Sequence, residues 1–158
     1  IYEGANGIQA LDLVGRKLPK DGGRALQTFF AEVDQFIADN MGNAELTPFL
    51  DGLATAKADV ADATQWMMMN GFSNPDNAGA GSMDYLHLFA LLCLAYGWAQ
   101  LAKAAIARRK DGAKDPFFEN KLTTGRFFLA RILPDGKANL AKLKSGAEPL
   151  MALPAEAF

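Results

Sequence analysis

Apolar residues recur along this chain at three- and four-residue steps, and no segment sustains a convincing alternation. That period belongs to helices rather than strands. In the opening stretch Ile8, Leu11, Val14 and Leu18 share one stripe. Asn6 is placed to cap it by accepting from free N–H groups of the first turn. Asp12 and Arg16, one turn apart, can pair on the wet side. Pro19 and the Asp21-Gly22-Gly23 cluster end this short helix. Residues 24–40 give the clearest helix, with Leu26, Phe29, Phe30, Val33, Phe36 and Ile37 on one face and Gly42 as terminator. A further helix is predicted over residues 44–70, where Leu46, Phe49, Leu50, Leu53, Val60, Ala63 and Met67 make the stripe. Pro48 is tolerated there because it falls in the first turn.

Residues 72–82, rich in Gly, Asn and Ala around Pro75, read as a loop, with Asp76 or Ser82 capping the next helix. The helix predicted over 85–110 is the most apolar, with no charge between Leu88 and Leu101. That run is shorter than the roughly 18 residues of a membrane span. It therefore reads as the central helix of a bundle, with no transmembrane segment, and Leu91→Ala or Leu94→Ala is expected to cost about 2–5 kcal/mol. Arg108, Arg109 and Lys110 close it, where cations favour a helix end. Asp115 as cap and Pro116 at the first position open a helix carrying Phe118, Leu122, Gly125, Leu129 and Ile132. Leu133-Pro134-Asp135-Gly136 stops it, a short weak helix comes next over 137–145, and the tail through Pro149 and Pro154 is irregular. The fold class is all-α: an up-down helical bundle of about four long helices plus a short N-terminal helix.

Composition adds limits. A length of 158 residues suits one packed domain. The net charge of −2 argues against a nucleic-acid partner. Charge is uneven: residues 1–100 hold 5 basic and 12 acidic side chains, residues 101–158 hold 11 and 6. That asymmetry marks either an interdomain or subunit surface or a solvated face. Cys93 is the single cysteine, so no internal disulfide forms; its apolar setting reads as a buried inert thiol in a reducing, cytoplasmic compartment. Trp66-Met67-Met68-Met69 reads as adaptable core or interface filling. Ile1 is not an initiator residue, so the chain reads as a piece of something larger.

Most chemistries lack their residues. His87 is the only histidine, which removes a Ser-His-Asp triad and a His-rich metal site. A phosphotransfer histidine must be exposed, and His87, between Leu86 and Leu88, reads as part of a buried helix. Gly79-Ala80-Gly81 does not follow a strand as a phosphate loop must. Asp59 and Asp62 read as surface acids. Glu3 lies on a backbone loosened by Gly4 and Gly7; from the residues alone it reads first as an exposed loop acid, with a carboxylate aimed at a ligand as the alternative.

Residues 1–18 closely resemble the signature near the C-terminal end of the acyl-CoA dehydrogenase catalytic domain, Tyr-Glu-Gly-Thr-x-x-Ile-Gln. Tyr2, Glu3, Gly4, Ile8 and Gln9 match it. The continuation through Leu18 is similar to the longer members, which carry an extra helical domain, and most of all to the 3-methylmercaptopropionyl-CoA dehydrogenase type. Asp84-Tyr85-Leu86 and the run from Lys121 to Pro134 resemble that extension more loosely. The resemblance implies FAD-dependent α,β-dehydrogenation of an acyl-CoA thioester, with Glu3 as catalytic base and Gly4, Ala5 and Gly7 beside the cofactor. Ala5 stands where the family has Thr, whose hydroxyl lies near the flavin. The resemblance also implies electron-transfer flavoprotein as electron acceptor, a homo-oligomer, and a boundary between residues 1–22, the end of the catalytic core, and 23–158, the helical extension. With flavin and substrate sites upstream of Ile1, this piece alone is expected to be inactive. The competing reading is a non-catalytic helical interaction or oligomerisation module in which Glu3 is incidental.

Overall fold

The computed structural model describes residues 4–71 and 73–157. Every element among them is helical: α1 (Gly4–Asp12), α2 (Arg24–Asn40), α3 (Thr47–Asn70), α4 (Pro75–Lys110), α5 (Pro116–Arg131), α6 (Asp135–Lys144) and the single turn α7 (Glu148–Met151). The all-α bundle expected from the periodicity is the fold observed.

Helix α4 is its spine, about 54 Å long at 1.5 Å per residue. Helix α3 runs antiparallel to it, joined by Thr64–Tyr85 near one end and Glu45–Arg109 at the other. Helices α5 and α6 lie end to end along α4: Phe128 stacks on Trp98, while a Cβ on Gly81 would meet Leu143. Helix α2 runs parallel to α4, with Phe29 and Phe36 packing edge-on against Tyr96. The core at their junction holds Phe49, Leu53, Val60, Tyr85, Leu88, Leu92 and Leu122, each at most 2% exposed.

Local chemistry explains most boundaries. Asp115 Oδ1 accepts from the Phe117 N–H at 2.9 Å and Pro116 occupies the first position of α5. Pro48 falls in the first turn of α3. The reversal before α2 uses Asp21, Gly22 and Gly23 in succession at positive φ, which only glycine adopts freely.

Several expectations change. The predicted loop at 72–82 is helix from Pro75 on (Phe72 lies outside the described residues). Asn74, not Asp76 or Ser82, is its cap, with Oδ1 accepting from the Asp76 N–H at 3.1 Å. Glycine disfavours helix interiors, but Gly81 is the only fit there: a Cβ would come 2.8 Å from Met67 Cε and 3.1 Å from Leu143 Cγ. Packing overrides propensity. Asn77 fastens this turn, donating to the Asn70 carbonyl and accepting from the Ala147 N–H.

Helix α4 reaches 36 residues, so by length and composition alone it could cross a bilayer, with mean hydropathy 1.4 over its most apolar 18 residues. In the fold it is the helix on which α1, α3, α5 and α6 pack. It is nevertheless open on one side. Leu94 is 51% and Leu101 48% exposed. The large cost of truncation therefore belongs to Leu92, which is fully buried, and not to Leu94. Cys93 and His87 also face outward, against the buried settings expected for them. A helix apolar nearly all round carries no phase from which to tell its wet side.

The charge asymmetry closes on itself. Arg109, Lys137, Lys142 and Lys144 meet Glu45, Asp59, Asp84 and Asp62 respectively, so cations of the C-terminal part neutralise acids of the N-terminal part. Asp59 is accordingly buried, not a surface acid. Arg109 also approaches Glu119 at 3.3 Å and so ties the end of α4 to α5.

Candidate functional site

In sequence the Tyr2-Glu3-Gly4 run stands at the start of α1, which begins at Gly4. Glu3 and Tyr2 lie outside the described residues. Gly4 is the first residue of α1, and Asn6, expected as its cap, lies inside the helix and is exposed. The segment is helical from Gly4 because its inner side is packed. Ala10 is fully buried, and Leu13, Val14 and Leu18 rest on the core. The buried stripe is thus rotated from the expected one: Ile8 is 65% and Leu11 49% exposed.

That rotation defines an outer face. Gly4, Gly7, Ile8 and Leu11 succeed one another at short helical steps and so share it. A Cβ on Gly4 or Gly7 would meet nothing within 4 Å, and Ala5 is exposed beside them. The three residues singled out for cofactor contact therefore sit together in the first two turns of α1. Their floor has almost no side chain, so a flat ring system could approach the backbone closely. Ala5 offers no hydroxyl on this face.

Electrostatics separate the acids of this region. Hydrogen bonds from Arg16 and then Lys17 hold Asp12 at about 2, well below the usual carboxylate range. This is the wrong direction for a group that must accept a proton near neutrality. Asp12 is a structural ion-pair partner.

Two clefts lie elsewhere. One, of about 290 Å³, opens between α3, α4 and the α5–α6 junction, with Leu88, Leu91, Leu129 and Leu133 as walls and the Asp59–Lys137 pair at its edge. The other, of about 460 Å³, lies between α4 and α6 and contains His87 and Asn139. Spacing alone could have found Asp59, which follows Ala56 by three and precedes Ala63 by four on the buried face of α3. Nothing in the pattern singles out Asn139. The Cys93 thiol is pushed up by partial burial, away from nucleophilic character. Among the described residues no cluster of His, Cys, Asp or Glu could hold a metal ion.

A family model described as Acetyl-CoA dehydrogenase C-terminal like matches residues 29–154. The chain belongs to this family. The match runs from within α2 past α7 and excludes the opening motif, so it supports the acyl-CoA dehydrogenase resemblance independently of residues 1–18. Among curated relatives, 3-methylmercaptopropionyl-CoA dehydrogenase of Ruegeria pomeroyi is 29% identical over 152 residues, covering 96% of this chain and 26% of that protein. Broad-specificity linear acyl-CoA dehydrogenase FadE5 of Mycobacterium tuberculosis is 30% identical over 145 residues, covering 85% of this chain and 23% of that protein. Butyryl-CoA dehydrogenase of Syntrophomonas wolfei is 25% identical over 167 residues, covering all of this chain and 26% of that protein. The chain thus spans about a quarter of the length of these relatives.

Proposed function

We propose that this chain is the C-terminal part of an FAD-dependent acyl-CoA dehydrogenase. Residues 1–22 would end the catalytic core and residues 23–158 form its helical extension. The observation that carries this reading is the family match over residues 29–154, and the Tyr2-Glu3-Gly4 run in the sequence and the open glycine face of α1 support it. Glu3 removes the α proton of the acyl thioester. For that its carboxylate needs a raised pKa, which burial between substrate and cofactor supplies. Gly4, Ala5 and Gly7 let the cofactor edge lie against the backbone of α1. FAD, when bound, supplies the acceptor for the β hydride. Ile8 and Leu11 on the same face pack against the rest of the catalytic body and exclude water from the site.

The remaining assignments belong to the same reading. The substrate is an acyl-CoA, the electron acceptor an electron-transfer flavoprotein, the assembly a homo-oligomer and the compartment the cytoplasm. The 158 residues alone do not turn over, because the portion that the relatives have beyond this match would hold flavin and CoA. The test compares this chain with the polypeptide encoded together with its upstream sequence, by flavin absorbance and acyl-CoA-dependent reduction of an electron acceptor. Flavin and turnover are expected in the longer protein alone. Turnover by the 158 residues would overturn their inactivity. An upstream region without a flavin-binding core would overturn the dehydrogenase reading in favour of the helical module.

A further inference from the structure

Helix α4 turns Leu92, Ala95, Ala99 and Ala102 into the core. On its opposite side Ala90, Leu94, Gly97, Leu101, Ala104 and Arg108 follow one another at steps of four, three, four, three and four. That is the spacing by which two helices pack along a seam. The seam is open. Leu94 and Leu101 are half exposed, Ala90 and Ala104 are exposed, and a Cβ on Gly97 would meet nothing within 4 Å. Large and small residues alternate along it, so the leucines of a facing helix find recesses over Ala90, Gly97 and Ala104.

The pattern is the same in both directions. From Gly97, leucine stands three residues back and four residues on, and alanine seven back and seven on. Such a face complements its own copy in antiparallel orientation, as a twofold contact requires. A foreign partner would demand no such symmetry. The charges agree. Arg108 lies eleven residues beyond Gly97, about 16 Å along the axis. Nearly the same distance the other way is the level of His87, where Asp135, the first residue of α6, lines the same cleft as His87, Ala90 and Leu94. The neighbouring cations are engaged: Arg109 meets Glu45 and Glu119, and Lys142 meets Asp84. Arg108 and Asp135 are exposed and have no ion-pair partner among the described residues. Each suits its own helix end, which accounts for its sign but not for its place at one end of a single apolar seam. An antiparallel copy sets Arg108 against Asp135 twice, whereas a parallel one would set Arg108 against Arg108.

We propose that α4 pairs antiparallel with α4 of a second copy of this chain about a twofold axis near Gly97, with Arg108 of each copy opposite Asp135 of the other. This is independent of the dehydrogenase reading. Six seam residues a side are fewer than the roughly 20–30 of a standard interface, so the dimer is weak, with a Kd in the micromolar range or above.

The test is sedimentation velocity on the 158-residue chain, which has a packed core of its own, from micromolar to sub-millimolar concentration, with Leu101→Asp, Arg108→Glu and Asp135→Lys. All three positions are exposed, and a circular dichroism melt checks that each variant keeps the fold. A concentration-dependent dimer is expected, weakened at least about tenfold by each substitution. Mixing Arg108→Glu with Asp135→Lys decides the arrangement. Either variant alone sets like charges together twice, whereas the mixed dimer holds two opposite pairs, one native and one reversed. The mixture is expected to associate at least about tenfold more tightly than either component. A monomer throughout overturns the proposal and leaves the seam to the rest of a longer polypeptide. A dimer indifferent to Leu101→Asp, or a mixture no tighter than its components, overturns it as well.

Discussion

Lys137 Nζ stands 2.6 Å from Asp59 Oδ1 across 78 residues of sequence. It pins the first turn of α6 to the middle of α3. The lysine is largely exposed, whereas the carboxylate is buried. Removing the cation leaves a charge with no partner in an apolar wall, so Lys137→Met is expected to destabilise by about 1–3 kcal/mol. Asp59→Leu combined with Lys137→Met removes the buried charge as well and should recover most of the loss. Urea denaturation of both variants checks this; equal losses would mean that the ion pair is not what the site depends on.

Glycines in the long helices divide sharply by what surrounds them. A Cβ on Gly125 would lie 2.5 Å from Phe49 Cε1 and 3.1 Å from Trp98 Cε3, two rings with little room to move. Gly125→Ala should cost about 1–3 kcal/mol by overpacking. At Gly97, in the middle of α4, nothing lies within 4 Å. Gly97→Ala should stabilise by up to about 1 kcal/mol through helix propensity. Opposite signs in a thermal melt are the expected outcome.

Leu92 and Leu94 differ by two positions and by their whole environment. Leu92 is fully buried and Leu94 half exposed. Leu92→Ala should cost about 2–5 kcal/mol, and Leu94→Ala under about 1 kcal/mol. Comparable losses in chemical denaturation would contradict the phase assigned to α4.

Tyr85 gives a pH signature. Burial pushes its phenol up to about 12 from an ordinary 10, with the hydrogen bond to Thr64 opposing in part. The Thr64 and Tyr85 hydroxyls lie 2.7 Å apart, and Thr64 also reaches the Val60 carbonyl at 2.7 Å. A folded pKa above the unfolded one means that stability is intact below pH 10 and is lost as pH rises towards 12. The loss is of order 2 kcal/mol. Tyr85→Phe should flatten this part of the alkaline stability curve, measured by denaturation at stepped pH. An unchanged curve would place the loss elsewhere.

How far the fold could be read from the residues depended on local signals. Helices α2 and α5 have one wet face and strong terminal residues, and their spans are those expected. Helix α4 lacked the wet face, and its Asn74 cap and Pro75 stand in a stretch rich in Gly, Asn and Ala. Its first turns hold two glycines, one of which, Gly81, packs so closely on Met67 and Leu143 of other helices that only tertiary contact explains its helical state. Its apolar middle hides which side faces water. For the same reason the sequence alone puts His87, Cys93 and Leu94 in the interior. The ion pairs were visible as a charge imbalance but not as pairs, since spacing does not place residue 137 beside residue 59. At the candidate site Gly4 and Gly7 read as a loosened turn, whereas both lie inside α1, and the rotation of α1 was set by Ala10 and Leu13 packing on distant elements.

The central claim is that Glu3 is the proton acceptor of an acyl-CoA dehydrogenase. The most direct measurement is exchange of the substrate α proton with deuterated solvent, catalysed by the full-length protein and by its Glu3→Gln variant. The account expects exchange to fall by about 100-fold or more in the variant, with flavin content and melting temperature unchanged. Exchange at the parental rate by a flavin-loaded Glu3→Gln protein would contradict it.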